Sequence, residues 1–424
     1  MRVLCTGDVH LGRPLSQIPD SSALKGISST AAWRAIVELA LAESVDLLAI
    51  SGDLVDAANR YYEAIGPVED GVRQLAAAGI SVVAVAGNHD FSALPRIADR
   101  LDGALILLGR NQQWERWTLT RDDRPVLHVD GWSFRREHVA VDPLETYALP
   151  RADEAPVLGL LHADLDAQES HYAPVRLWQL RQKPVAAWLL GHIHVPRLIE
   201  EAGVPPVLYP GSPYALDPGE AGTHGVWIAT FAPGEAPVFE RRAIAKVRYQ
   251  SCAIDLSGQE SASAALDQIE RGVGDALAEA KDHTDGSTLE LLLLRLTVTG
   301  ATPPGMSLGA ELAQMQADLT LSHQGATVAL EKVVDMTTTA IDLNLVAAGI
   351  DAPASIARLI LSLQPGQRRP VMQEARRRAG EVVRQSAYRA TEDEMPADEQ
   401  LAAMMEREAW KLLRALLAQK SAAA

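Results

Sequence analysis

The residues able to do chemistry in this chain recur at one kind of place, the end of an apolar run. Ser81-Val82-Val83-Ala84-Val85-Ala86 passes into Gly87-Asn88-His89-Asp90, and Arg2-Val3-Leu4-Cys5-Thr6 into Gly7-Asp8-Val9-His10. Asp46 to Ser51 leads to Gly52-Asp53, Val157 to Leu161 to His162, and Ala187 to Leu190 to Gly191-His192-Ile193-His194. If the runs end on one edge, Asp8, His10, Asp53, Asn88, His162, His192 and His194 meet there. Carboxylate, amide and imidazole without thiolate suit manganese, iron or zinc better than calcium, which takes oxygen ligands. Manganese is the expected metal. Two divalent ions about 4 Å apart clamp the attacking and leaving oxygens of a phosphoryl transfer and need a bridging carboxylate. Asp53 is the natural bridge.

Stepping from residues to the elements that must carry them, each β-branched run predicts a buried strand, and a glycine at its end predicts a sharp turn. Ligands of open α/β sheets collect at the carboxyl ends of strands. Between the first two strands, Ala31 to Ala42 carries Trp33, Ile36, Val37, Ala40 and Leu41 at helical spacing, and Tyr61 to Ala78 predicts a second helix before the third strand. Strand, helix, strand is the parallel βαβ unit. A short helix at Ala93 to Leu101 and an edge strand at Leu105 to Gly109 follow. Trp114 to Thr120 and Val126 to Val129 then alternate like antiparallel strands, whose sheet would pack on the first as a sandwich flanked by helices. Further strands are expected at Val207 to Tyr209 and Gly225 to Phe231.

In their order and spacing, Asp8-Val9-His10, Gly52-Asp53, Gly87-Asn88-His89-Asp90, His162 and Gly191-His192-Ile193-His194 resemble the signature of the calcineurin-like metallophosphoesterases. The resemblance covers roughly the first 240 residues. It implies one ion held by Asp8, His10, Asp53 and His194, and another by Asp53, Asn88, His162 and His192. It also implies that His89, not a ligand, protonates the leaving oxygen or stabilises phosphoryl charge, with Asp90 orienting its ring. The opening Met1 to Gly12, the Ser170-His171-Tyr172-Ala173-Pro174 stretch and the strand ending at Pro210-Gly211-Ser212-Pro213 look like the DNA-repair exonuclease branch, the SbcD-like nuclease subunits. Ser212 is then either a phosphate contact or a plain turn residue, and His171 either reaches substrate or is only solvated. Asp56 either belongs to that branch's pattern or caps the following helix.

The remainder of the chain bounds this reading. At 424 residues and 47% apolar content it predicts a globular protein of two or three domains. Cys5 and Cys252 are the only cysteines, offering neither a disulfide framework nor a zinc-thiolate motif, as expected of a cytoplasmic protein. The longest apolar stretch, Leu289 to Val298, is interrupted by Glu290 and Arg295, so no membrane span is expected. A formal charge of −16 and a pI of about 5.2 argue against autonomous, tight, nonspecific DNA binding. A partner would have to present the DNA.

The expected organisation is a metallophosphoesterase domain over 1–245, a smaller α+β domain over 246–350 and a helical region over 351–424. For the middle region, strands at Ser251 to Leu256, Leu289 to Thr299 and Thr327 to Val334 alternate with helices at Ser261 to Ala280 and Gly309 to Ala317. By resemblance it would be a capping domain, the alternative being a stabilising one. The C-terminal helices are expected at Ala354 to Leu363, Val371 to Arg389 and Asp398 to Gln419. Arg376, Arg377, Arg378, Arg384 and Arg389 on the second read as a phosphate-binding or a merely solvated face. The third has a wide apolar face (Leu401, Met404, Met405, Trp410, Leu412, Leu413, Leu416). By resemblance it would dock on an SMC-like, SbcC-like coiled-coil ATPase; otherwise it folds back on its own domain. The expected function is DNA phosphodiester hydrolysis in double-strand-break repair, with homodimerisation implied by resemblance only. The alternatives are hydrolysis of a nucleotide or other small phosphodiester, and DNA-end tethering.

Overall fold

The computed structural model describes residues 1–13, 28–56, 61–152, 155–282, 289–303, 306–364, 369–383 and 398–422. They form two compact units, 1–300 with 306–337, and 301–305 with 338–424.

The first unit opens with β1 (Arg2–Thr6), α1 (Ser29–Ala42), β2 (Leu47–Ile50), α2 (Tyr61–Ala77), β3 (Ser81–Ala84), α3 (Leu94–Arg100) and β4 (Leu105–Leu107). Next come β5 (Glu115–Arg121), β6 (Arg124–Trp132), β7 (Val157–His162), α4 (Leu177–Gln182), β8 (Ala187–Gly191), β9 (Arg197–Ile199), β10 (Val207–Tyr209), β11 (Gly225–Thr230) and β12 (Val238–Ala243). They build two sheets, in the orders β12-β11-β1-β2-β3-β4 and β5-β6-β7-β8-β10-β9. In the first, β1 to β4 are parallel. In the second, β6, β7, β8 and β10 are parallel, with β5 and β9 antiparallel at the margins.

In the second sheet β5 and β6 pair antiparallel as expected, but the sheet as a whole extends the expectation. It is mixed rather than antiparallel, and it carries β7 and β8, so the five ligand-bearing strands divide between two sheets. Their continuous apolar runs follow from burial on both faces. Alternate residues Val3, Cys5, Leu47, Ala49 and Val83 meet Leu127, Val129, Leu158, Leu160 and Leu189 in the core between the sheets. The intervening Leu4, Leu48, Ile50 and Val82 pack with Trp33, Ile36 and Val72 of α1 and α2. Helix α1 starts earlier than its apolar pattern because Ser28 caps it, the hydroxyl accepting from the Ala31 N–H at 3.1 Å.

A smaller module completes this unit. Along the chain run β13 (Val247–Asp255), α5 (Ala262–Asp282), β14 (Leu291–Thr299), β15 (Ala301–Thr302, part of the second unit), α6 (Gly309–Asp318), β16 (Leu321–His323) and β17 (Ala326–Asp335). The sheet order is β13-β14-β17-β16. Ile269, Val273 and Leu277 of α5 pack on Leu292, Leu294 and Leu296 of β14. Strand β13 begins at Val247, before the expected Ser251, because Val247 and Tyr249 turn inward with Leu291 and Leu293.

In the second unit β15 pairs with β18 (Thr338–Thr339), followed by α7 (Leu343–Ala347), α8 (Ala352–Ser362), α9 (Arg369–Val383) and α10 (Asp398–Ala422). Ala409 and Leu413 of α10 pack on Ala357 and Ile360 of α8, while Met404 and Leu412 remain exposed. Arg376 pairs with Asp398 at 2.6 Å, and Arg377 and Arg378 share Glu374. Three of the five expected basic-face arginines are thus engaged by carboxylates; Arg384 and Arg389 lie outside the described residues. Among the described residues no helix is long and apolar enough to cross a membrane.

Candidate metal centre

Both sheets deliver their strand ends to one place. Asp8 and His10 follow β1, Asp53 follows β2 and Asn88 follows β3, while His162 ends β7 and His192 and His194 follow β8. The glycines do more here than turn the chain. A Cβ on Gly87 would lie 2.3 Å from the Asp53 carboxylate, and one on Gly52 would lie 2.6 Å from His162 Nδ1. Close approach excludes any side chain at either position. Asp8, His10, Asp53 and His192 all have left-handed φ, at 51°, 47°, 50° and 94°. Such conformations cost about 1–3 kcal/mol each and persist where surrounding structure over-determines them, typically at functional sites.

The side chains converge in overlapping groups. Asp8, His10 and His194, and likewise Asp8, Asp53 and His162, offer ligand atoms all within 4.8 Å of one another. His10 Nε2 lies 3.2 Å from His194 Nε2 and 3.7 Å from Asp53 Oδ2. His162 Nε2 lies 3.4 Å from Asp53 Oδ2 and 3.0 Å from Asn88 Oδ1. His192 brings its ring to 5.4 Å from that of His162, centroid to centroid, and its backbone N–H donates to Asp8. The seven residues expected as ligands are therefore brought together.

The tautomers show what this arrangement needs. His162 Nδ1 donates to the Ser51 carbonyl at 2.9 Å, and His194 Nδ1 donates to Glu220 Oε1 at 2.6 Å. In their neutral forms both rings then turn bare Nε2 lone pairs inward, towards carboxylate and amide oxygens that also have only lone pairs to offer. A cluster of acceptors facing acceptors lacks a positive charge, which divalent cations supply. The donor set fits such ions.

Without a cation, protons take that role. Burial opposes charge on His162, but Asp53 and Asp8 outweigh it and raise the ring to about 9. Burial pushes the Asp8 carboxyl up to about 6, although His162 and His194 oppose the rise. Burial also resists ionisation of Asp53, yet His162 and His10 hold its carboxyl far below the ordinary range. Burial and His162 lower His192 to about 3. A metal must displace the His162 proton at neutral pH and, near pH 6 and below, the Asp8 proton as well. Mn2+ affinity is therefore expected to fall steadily from pH 8 to pH 5. At pH 7 saturation should release at least one proton per chain, read by calorimetry in buffers of different ionisation enthalpy. Binding without proton release would contradict this account.

Two expected roles change, those of Asp90 and Ser212. Asp90 does not orient His89: its carboxylate accepts from the Gly87 and Leu54 N–H groups at 2.7 and 2.8 Å, locking the two ligand loops together. Asp56, buried, is the carboxylate near His89, at 3.9 Å from Nδ1. Ser212 is fully buried, its hydroxyl 3.1 Å from Glu220 Oε2, so it belongs to the support of His194 and not to a substrate rim. His171 is exposed beside His138, and its neighbour Tyr172 lays its ring 4.7 Å from that of His192. Glu220, Tyr172 and Phe134, whose ring lies 5.6 Å from that of His162, were not expected. Glu220 lacks a sequence signal because it sits in an irregular stretch with no strand before it.

Residues 1–196 match the calcineurin-like phosphoesterase family, and residues 249–338 match the middle domain of metallophosphoesterase YhaO. All seven residues expected as ligands lie within the stretch that matches the calcineurin-like phosphoesterase family. Among curated relatives, the uncharacterized metallophosphoesterase YhaO of Bacillus subtilis is 27% identical over 270 residues, covering 62% of this chain and 65% of that protein. The DNA double-strand break repair protein Mre11 of Methanopyrus kandleri is 27% identical over 238 residues, 51% of this chain and 49% of its own. That of Aeropyrum pernix is 28% identical over 259 residues, 57% of this chain and 60% of its own. The chain spans less than two thirds of the length of each.

Proposed function

We propose that this chain is a two-metal phosphodiesterase that cuts DNA near ends during double-strand-break repair, with manganese as its working metal. The observation that carries the reading is the inward convergence of acceptor atoms from the ends of five strands, with His89 beside them. Asp8, His10 and His194 would hold one ion and Asn88, His162 and His192 the other, with Asp53 between. When bound, such ions stabilise charge on the phosphoryl oxygens and activate water as the nucleophile. His89, half-exposed and with its ring 4.9 Å from that of His10, is free to meet substrate and donates a proton to the leaving oxygen. Asp56 lies beside the His89 ring, 3.9 Å from its Nδ1.

The Mre11 relatives support DNA as substrate, in the manner of the SbcD-like branch. Arg135 and Arg136 are exposed next to Phe134, with exposed Glu137 beside them, and His138 and His171 are exposed nearby, a polar rim on a chain of net charge −16. That net charge favours a partner that holds the DNA, for which an SMC-like, SbcC-like coiled-coil ATPase is the choice. The exposed Met404 and Leu412 of α10 suit such docking. A cytoplasmic homodimer completes this reading. The acidity also favours a second one, hydrolysis of a nucleotide or other small phosphodiester.

The deciding experiment incubates end-labelled duplex and single-stranded DNA with Mn2+, beside bis-p-nitrophenyl phosphate, with Asp53→Ala as control. Cleavage of DNA and diester by the native chain but not the variant is expected. Cleavage of the diester alone, with the ATPase partner also supplied, would favour the small-molecule reading.

A further inference from the structure

The geometry points to Glu220 as a positioning residue for the metal ligand His194, and to the segment 212–224 as a strap that ties this ligand to the seat of the α+β module. This inference rests on the metal centre of the proposed reading and not on its substrate.

One end of the strap grips the centre. Glu220 is 6% exposed, and its Oε1 accepts from His194 Nδ1 at 2.6 Å. Its Oε2 accepts from Ser212 Oγ at 3.1 Å and from the Leu216 N–H at 2.8 Å. The Ser212 N–H in turn donates to the His194 carbonyl at 2.9 Å. Buried His224 bridges the strap, with one ring nitrogen 2.9 Å from the Ser212 carbonyl and the other 2.9 Å from that of Glu220. Tyr214 adds a contact on the other ligand loop, its hydroxyl donating to the Val9 carbonyl at 3.3 Å, between Asp8 and His10. A carboxylate on Nδ1 fixes the imidazole tautomer and ring plane and raises the basicity of Nε2.

The other end grips the module. Ala215, 1% exposed, packs among Val247, Tyr249, Leu291 and Leu293 of β13 and β14. The Gly222 N–H donates to the Tyr249 carbonyl at 3.2 Å. Asp217 lies close enough to Arg295 of β14 to stabilise its positive charge. Between Ala215 and Gly222 the strap makes one short loop, and Glu220 lies within it. A shift of β13 and β14 therefore moves the carboxylate that aims His194.

The test titrates Mn2+ into the full chain by calorimetry, with manganese resonance spectra counting bound ions. Glu220→Ala is expected to weaken one ion by about 10- to 100-fold, leaving the other unchanged, and Glu220→Gln to fall between it and the native chain. Ala215→Leu, which touches no ligand, should weaken the same ion by about 5-fold. The double variant should lose less than the product of the two effects, because both act through one carboxylate. Equal weakening of both ions by Glu220→Ala, or native affinities, would overturn the positioning role. Native affinity in Ala215→Leu, with circular dichroism showing a folded chain, would overturn the coupling. Absence of Mn2+ binding by the native chain would instead remove the metal centre itself.

Discussion

Asp53→Asn is expected to bind at most one Mn2+ per chain tightly and to lose about 10³-fold in phosphodiester hydrolysis. The carboxylate lies between the two groups of acceptors, 3.7 Å from His10 Nε2 and 3.4 Å from His162 Nε2. An amide of the same shape preserves one oxygen for the His89 N–H, which donates to Asp53 Oδ1 at 2.8 Å, so the loop keeps its path. What disappears is a negative charge in a fully buried place. Several kcal/mol of transition-state stabilisation depend on a paired metal site, and each 1.36 kcal/mol is tenfold in rate. Metal content by mass spectrometry and turnover of bis-p-nitrophenyl phosphate check the two halves separately. Two tightly held ions in the variant would exclude Asp53 as the bridge.

The second large effect concerns the proton. His89→Gln should retain both ions, since no ligand is removed, yet slow DNA cleavage by about 10²- to 10⁴-fold. The loss should be much smaller for bis-p-nitrophenyl phosphate. Its nitrophenolate leaves without protonation, whereas the sugar alkoxide of DNA does not. Equal losses on both substrates would assign His89 to charge stabilisation on the phosphoryl group in place of proton donation. Full activity on DNA would remove it from the mechanism.

The convergence of these side chains was legible in the sequence because parallel strands buried on both faces must be apolar throughout, so each polar residue at their ends stands out. Asp8, His10, Asp53, Asn88, His162, His192 and His194 were found that way. The apolar signal was weaker for β12, whose Glu240, Arg241 and Arg242 are consecutive charged residues, and for the three-residue β16; both strands went unseen. The division of the five strands between two sheets was also hidden, since β6, β7 and β8 carry the same apolar signal whichever sheet accepts them. Asp90 was misread for a related reason. Adjacency to His89 suggested a side-chain partner, whereas the chain geometry aims the carboxylate at the backbone N–H groups of Gly87 and Leu54. Glu220 and Ser212 act on His194 from irregular backbone, where no periodicity marks a residue's direction.

That the ligands come from two sheets bears on more than catalysis. Asp8, His10, Asp53 and Asn88 belong to one layer and His162, His192 and His194 to the other, so an ion held as proposed would be a rivet through the sandwich. With such ions bound, sliding or parting of the layers would require coordination bonds to break, and four of the seven residues hold left-handed backbone. A metal present at 100 times its dissociation constant adds about 2.7 kcal/mol to the folded state. Chelation should therefore do more than silence the enzyme. It would turn a cross-braced pair of sheets into two layers held by their apolar core alone, and a lower melting temperature in the presence of chelator would show that the metal is part of the fold as well as of the proposed chemistry.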